Sequence, residues 1–369
     1  MMDKNDPKAC PVQDLSENAT NPIFGSIDFY DFDRILAGAC TGFVVFVILL
    51  HLLNHATHLS EPREQVKYEL KIPIYIDPVL VTNFSRIMRV ALLVPIYSII
   101  SLLCISFPTA EVYLRPWLEV AQANCLASYF LLLCEFVSPH TEGRDLFFAT
   151  IEIRDKRAAR KGPVDGVQWF RRRWIGIFQY PIVALLVAIA TCVTQGVGVY
   201  CRYGSKPHYA KLWVSIALSN LTIMTYIPPA HYSEHCLRGY CISLRLNGGP
   251  EPKGAHAKYQ TDHEAIIFLI LGSTSALDAT DTLTYADKSI GIPALLSCLE
   301  MVPISLLMVW AYPVSPYRMR PSTSRNFEGV PTSYQGGFLG IRAFLSMVNP
   351  SDTIEGAAFA IKLLTKQVS

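Results

Sequence analysis

Seven apolar runs set the limits on what this chain can become: Ile35–Leu53, Val90–Phe107, Leu118–Val137, Ile175–Val199, Leu212–Pro229, Ile266–Ala279 and Ile290–Tyr312. A hydrocarbon core about 30 Å thick takes roughly 20 residues of helix to cross. The sixth run is the shortest and ends in Ser, Thr and Asp. None of the 32 Lys and Arg residues falls inside a run. Lipid offers the backbone no partners, and alternating strand patterns are absent, so the spans are helices. Composition agrees. Charged residues are 17% of the chain, against about 25% in soluble domains, and the mean hydropathy is +0.28. An ordinary soluble enzyme and a disordered chain are thereby excluded. The net charge of +2 argues against a nucleic-acid partner.

The basic residues assign the sides. Lys4, Lys8, Arg34, Arg115, Arg202, Lys206, Lys211 and Lys288 fall on one side of the seven spans, and the other 24 fall on the opposite side. Cations accumulate on the cytoplasmic side. The chain therefore reads as an all-α integral membrane protein, a seven-transmembrane-helix bundle with its N-terminus exoplasmic and its C-terminus cytosolic. Residues 1–34 form an exoplasmic segment, 35–317 the membrane domain and 318–369 a cytosolic tail. Asn18-Ala19-Thr20 is a glycosylation sequon on the exoplasmic side. Asp28, Asp31 and Asp33 precede the first span where a cleaved signal peptide would be basic.

The ten cysteines do not form a disulfide framework; six lie in spans, where they pack. Cys236 and Cys241 follow the fifth span, a juxtamembrane position suited to palmitoylation; two free thiols are the alternative. In the third loop, Arg154–Lys161 sit in a helix beginning near Asp145, and Arg171-Arg172-Arg173 abut the fourth span. Both clusters suit anionic headgroups. The tail holds two short helical patterns. Phe338, Ile341, Leu345 and Val348 share one face. After Asn349-Pro350, Asp352 and Glu355 have capping-box spacing, and Ile354, Ala358 and Ile361 form an apolar stripe. These helices lie on the membrane or dock on the bundle.

Several motifs fall in a common order. His55-Ala56-Thr57-His58 and Pro62-Arg63-Glu64-Gln65 follow the first span. Val94-Pro95-Ile96-Tyr97-Ser98-Ile99 lies in the second, Gln179-Tyr180 in the fourth and Asn220 in the fifth. Cys298-Leu299-Glu300-Met301 and Trp310-Ala311-Tyr312 lie in the seventh. From Ile35 to Tyr317 the chain resembles the organic solute transporter alpha-subunit / transmembrane protein 184 family, in a form similar to fungal members. It departs from the pattern between Gln65 and Pro95, where a segment containing Ile72–Asp77 is inserted. The resemblance implies seven helices in the orientation above. It implies facilitative transport of an amphipathic organic solute, steroid-like organic anions in animal members, with a small single-span beta-type subunit. Other members act at the vacuole and bind the ubiquitin-like autophagy protein through their tails. The resemblance implies no cofactor.

Intramembrane polar groups are costly and mark function. Glu300, mid-span in the seventh run, is the foremost path candidate; its structural alternative is a hydrogen bond to a neighbouring helix. Asn124 and Glu135 share a face of the third span with Ser128, beside Gln122. Asn220, Gln179 and Tyr97 complete the solute-path candidates; for the amides, packing between helices is the alternative. Pro95 and Pro181 kink their helices. His51, His55 and His58 recur on one face of the first helix, and His231 and His235 follow the fifth span. Imidazoles so placed are weak zinc candidates, which leads to a metal-dependent lipid hydrolase as a third reading. The second reading is a vacuolar or endomembrane scaffold whose tail recruits a cytosolic partner. Phe327-Glu328-Gly329-Val330 fits the loose aromatic-x-x-aliphatic motif for that role. The transporter, a homo-oligomer or a complex with a beta-type subunit, then lies in the plasma membrane or an endomembrane, in contact with membrane lipids.

Overall fold

The computed structural model describes residues 21–23, 25–57, 78–138, 141–150, 152–153, 164–202, 207–217, 282–314 and 351–368, with single residues at 15, 280, 341 and 344. Seven α-helices recur there: α1 Phe29–Thr57, α2 Pro78–Ser106, α3 Glu111–Val137, α4 Thr141–Ala149, α5 Gly166–Val197, α6 Ile292–Ala311 and α7 Ser351–Val368. A short 3-10 turn, Pro108–Ala110, separates α2 from α3, and a π-helical turn, Asp287–Gly291, leads into α6. Residues 210–217 are also helical. The only strands among the described residues are two-residue partners, β1 Glu152–Ile153 and β2 Val164–Asp165, paired antiparallel.

Five helical segments are long and apolar enough to cross a membrane: Phe29–Thr57, Met88–Ser106, Pro108–Cys134, Gly166–Val197 and Asp287–Ala311. They correspond to the first four apolar runs and the seventh. The fifth run is described only at its start, and the sixth lies outside the described residues. The surface of these helices is apolar where a soluble bundle is polar. Ile35, Phe46, Leu186, Val193, Leu307 and Trp310 all point outward and are exposed. Helices apolar on every side belong in lipid, so this is an integral membrane protein.

α1, α2 and α6 pack as a triangle; α3 packs against α2, and α5 against α3. The upper end of the bundle is the one at which α1 begins, and the lower end the one at which it finishes. The core of the triangle is built from Val44, Ile48 and Leu52 of α1, Met88, Ala91, Val94 and Tyr97 of α2, and Met301 and Met308 of α6. Val44, Ile48 and Leu52 recur every four residues, the spacing of one helix face. A buried polar knot crosses the same triangle. Thr41 Oγ1 lies 2.9 Å from Ser98 Oγ, and Cys298 Sγ lies 3.6 Å from the Ser98 carbonyl.

At the lower end, aromatic rings join α3, α4 and α5. Phe148 stacks on Phe170 at 4.3 Å, and Trp174 stacks on Phe178 at 4.9 Å. α7 docks on α5 here. Trp174 Nε1 donates to the Gly356 carbonyl at 2.9 Å, and Arg89 Nη1 of α2 pairs with Asp352 Oδ1 at 2.6 Å. A Cβ at position 356 would overlap the Phe178 ring, so glycine is what permits this close approach.

Four expectations change. The helix expected to run from Asp145 through the first basic cluster ends at Ala149, and the chain turns into β1; the β-branched Thr150, Ile151 and Ile153 favour that ending. α5 begins at Gly166, ahead of its apolar run, so Arg171–Arg173 lie within the helix, about its second turn. The Asp165 side chain caps it, accepting from Val167 N at 3.1 Å. Asp352, expected to open the tail helix together with Glu355, also pairs with Arg89 and accepts from Thr353 N, so its carboxylate ties α7 to α2. Cys201 is disulfide-bonded. Cys40, Cys104, Cys125, Cys134, Cys192 and Cys298 are free, so its partner lies outside the described residues.

Candidate functional site

A cavity of about 370 Å³ opens at the upper end, between the start of α3, the end of α5 and the segment that follows α5. Its floor begins with Glu111, the first residue of α3, placed by the Pro108–Ala110 turn at a helix N-terminus, where a carboxylate is favoured. Only 7% of the Glu111 side chain is exposed, and both oxygens are engaged. Oε1 takes Arg115 Nη1 at 3.1 Å, one turn along α3, and Oε2 takes Arg202 Nη1 at 2.8 Å. Arg202 reaches back because the chain folds over after α5: Ala210 N donates to the Val199 carbonyl and Lys211 N to the Tyr200 carbonyl, each at 3.1 Å. Lys211 Nζ donates to the Arg202 carbonyl. Glu119, two turns into α3, accepts from Tyr180 Oη at 2.9 Å.

The walls combine three cations (Arg115, Arg202 and Lys211) and two carboxylates (Glu111 and Glu119) with apolar Val112, Val187 and Val214. Burial and then the neighbouring Arg202 cation hold the Lys211 ammonium below its ordinary range. Burial and then the Glu111 carboxylate push the Tyr200 phenol up. Arg115 is 60% exposed, so part of its guanidinium remains available beyond the Glu111 pair. A chamber with a cationic excess and an apolar wall suits a solute with a polar head and an apolar body.

The residues flagged by sequence do not converge on this cavity. Glu300 is half-buried on α6. Tyr97 is buried in the core of the triangle. Asn124 folds back on its own helix, donating to the Val120 carbonyl at 2.9 Å. Gln179 is half-buried between Phe178 and Tyr180, and Gln122 is buried on α3. Glu135 lies in α3, where only its backbone is described. His51 and His55 meet edge to face at 4.5 Å, and His55 Nε2 lies 2.9 Å from the Tyr312 carbonyl. Among the described residues no group of three metal-ligating side chains exists. Asn18, Asn220, His58, His231, His235, Cys236, Cys241 and Phe327–Val330 lie outside the described residues.

Sequence reasoning passed over the cavity. Arg115, Arg202 and Lys211 entered only as the sparse cations of the poorer side. The usable signal was their sharing that side with Glu111 and Glu119 at the start of α3.

Comparison with known families adds one finding: the model for the organic solute transporter Ostalpha family matches residues 34–227 and 260–317. Comparisons with curated proteins and with solved structures give no match. The matched segments take in all five of the described membrane helices except the first residues of α1. The chain belongs to the organic solute transporter alpha family.

Proposed function

We propose that this protein carries an amphipathic organic solute with an anionic head across the membrane, down its gradient. The supporting observation is the upper cavity, whose cationic excess and apolar wall match such a solute. In this reading the bundle has seven spans, its upper end faces the exoplasm, and the cavity is the solute's vestibule. Arg115 and Lys211 bind the head, and Val112, Val187 and Val214 line the body. Arg202 holds Glu111 in place and so keeps that carboxylate from repelling the head. Glu300 and Asn124 belong to the later path between the helices.

Uptake into proteoliposomes of the purified protein tests this. It should be saturable, and Arg115→Gln should raise KM several-fold with little change in maximal rate, because Arg115 binds without reacting. Leak-level flux, or an unaltered KM in that variant, would refute the vestibule.

A further inference from the structure

α7 carries more apolar surface than its docking on the bundle uses. Asp352, Gly356 and Ala360 are buried on the docked side. Two further strips run along the helix. Ile354 is 62% exposed, Ile361 54% and Leu364 45%. Ile354 and Ile361 are two turns apart and so share a side. Glu355 and Lys362, also two turns apart, are exposed on another side. One helix thus presents a protein-facing strip, an apolar strip and a charged strip. A helix docked in water needs only the first and the last.

The docking contacts set the depth of α7. Asp352 pairs with Arg89, the residue just before the second apolar run begins at Val90. The Gly356 carbonyl accepts from Trp174, the residue just before the fourth run begins at Ile175. Phe359 meets the same indole edge to face at 5.3 Å. The Phe178 ring beside Gly356 lies one turn further in, about 6 Å along α5. Every one of these anchors therefore sits within about a turn of the lower end of an apolar run, where hydrocarbon gives way to headgroups. Interfacial helices bury their apolar side about 5–10 Å at that boundary, and tryptophan is enriched there. Arg171 and Arg172 are exposed on α5, within a turn of Trp174 on its headgroup side.

We propose that the lipid monolayer at the lower end covers the apolar strip of α7. Ile354, Ile361 and Leu364 sit among acyl chains, while Glu355 and Lys362 face the water. Arg171, Arg172 and Lys362 give the adjoining layer a preference for anionic headgroups. Depth, beyond exposure alone, selects lipid as the occupant: at this level a soluble partner meets headgroups before it can reach Ile361. The tail is thus held from two sides, by the bundle through Gly356 and by the monolayer through Ile361, and the Asp352 pair passes that hold to α2. None of these contacts involves the vestibule, so the lipid surface stands or falls apart from the carrier reading.

Photo-crosslinking of the full-length protein in nanodiscs of mixed phosphatidylcholine and phosphatidylserine tests this without any transport measurement. p-Benzoylphenylalanine in place of Ile361, and separately of Leu364, should give a phospholipid mass adduct on irradiation. The yield should be several-fold that of the same group in place of Glu355. Both apolar positions point away from the bundle, and the use of two guards against one variant that fails to fold. The adducts should hold phosphatidylserine at more than its share of the disc, and Arg171→Gln combined with Arg172→Gln should bring it down toward that share. A cross-link to a second copy, a cross-link to another segment of the same chain, or a lipid yield no higher than at Glu355 would overturn the proposal. Phosphatidylserine at only its share in the adducts would refute the anionic preference.

Discussion

Glu111 is the residue on which the vestibule is built. Its carboxylate is almost wholly buried and its two oxygens are held by two different arginines. Arg202→Ala strips one oxygen of its partner, and a buried acceptor left unsatisfied costs about 1–3 kcal/mol. We expect a clear drop in thermal unfolding temperature for Arg202→Ala and a smaller one for Arg202→Lys. Lys211 gives a pH signature. Its folded value lies below the ordinary lysine value of 10.5. Between those two values the unfolded chain binds a proton that the folded chain has released, so stability should rise with pH across that interval. Lys211→Met should flatten the rise, and an anionic solute should bind less well as Lys211 loses its charge. Single residues were the least legible scale in the sequence. Glu300 and Asn124 could be flagged by chemical type, yet the direction of a side chain around a helix depends on which neighbour the helix meets. Glu111 and Arg202 are far apart in the chain, and their pairing exists only once α3 and α5 have packed.

Elements were more legible than residues, because lipid forces an apolar run to become a helix. The ends of the helices were not. α3 starts at Glu111 and α5 at Gly166, both ahead of their apolar runs, since a helix at the water boundary can continue through charged residues that the solvent accommodates. α7 carries two surfaces. One, with Asp352, Gly356 and Ala360, is buried on the bundle; the other exposes Ile354, Ile361 and Leu364. An amphipathic stripe alone left open whether it meets lipid or protein; the answer depended on Gly356 meeting Trp174 and Phe178. Gly356→Val should therefore undock α7, with an overpacking cost of about 1–3 kcal/mol. Limited trypsin digestion reads this: cleavage at Lys362 should be markedly faster in the variant, and an unchanged rate would show that the contact is dispensable.

At the scale of the whole molecule, the lopsided basic residues and the Cys201 disulfide bear on the same question. Disulfides persist in oxidising compartments, and Cys201 lies at the upper end, which the charge pattern assigns to the exoplasm. Asn18 belongs to that side by the same pattern. Expressed in a eukaryotic secretory system, the wild type should show a glycosidase-sensitive mass shift that Asn18→Gln abolishes. A shift that survives Asn18→Gln would place another asparagine on the glycosylated side and reverse the assigned orientation.

The ion pair between Arg89 and Asp352 joins positions 263 apart in sequence, and α7 is only 18 residues long. Arg89 is made well before its carboxylate partner. Until then the Trp174 and Phe178 rings on α5 have no cover from Gly356. The nascent chain therefore carries an unfilled aromatic seat on its lower end from the synthesis of Phe178 until that of Gly356, a surface that favours misassembly in incomplete chains. A ribosome that stops short of α7 releases a product whose five described membrane helices are made, yet whose seat stays open, a mark by which quality control can tell an unfinished copy from a finished one.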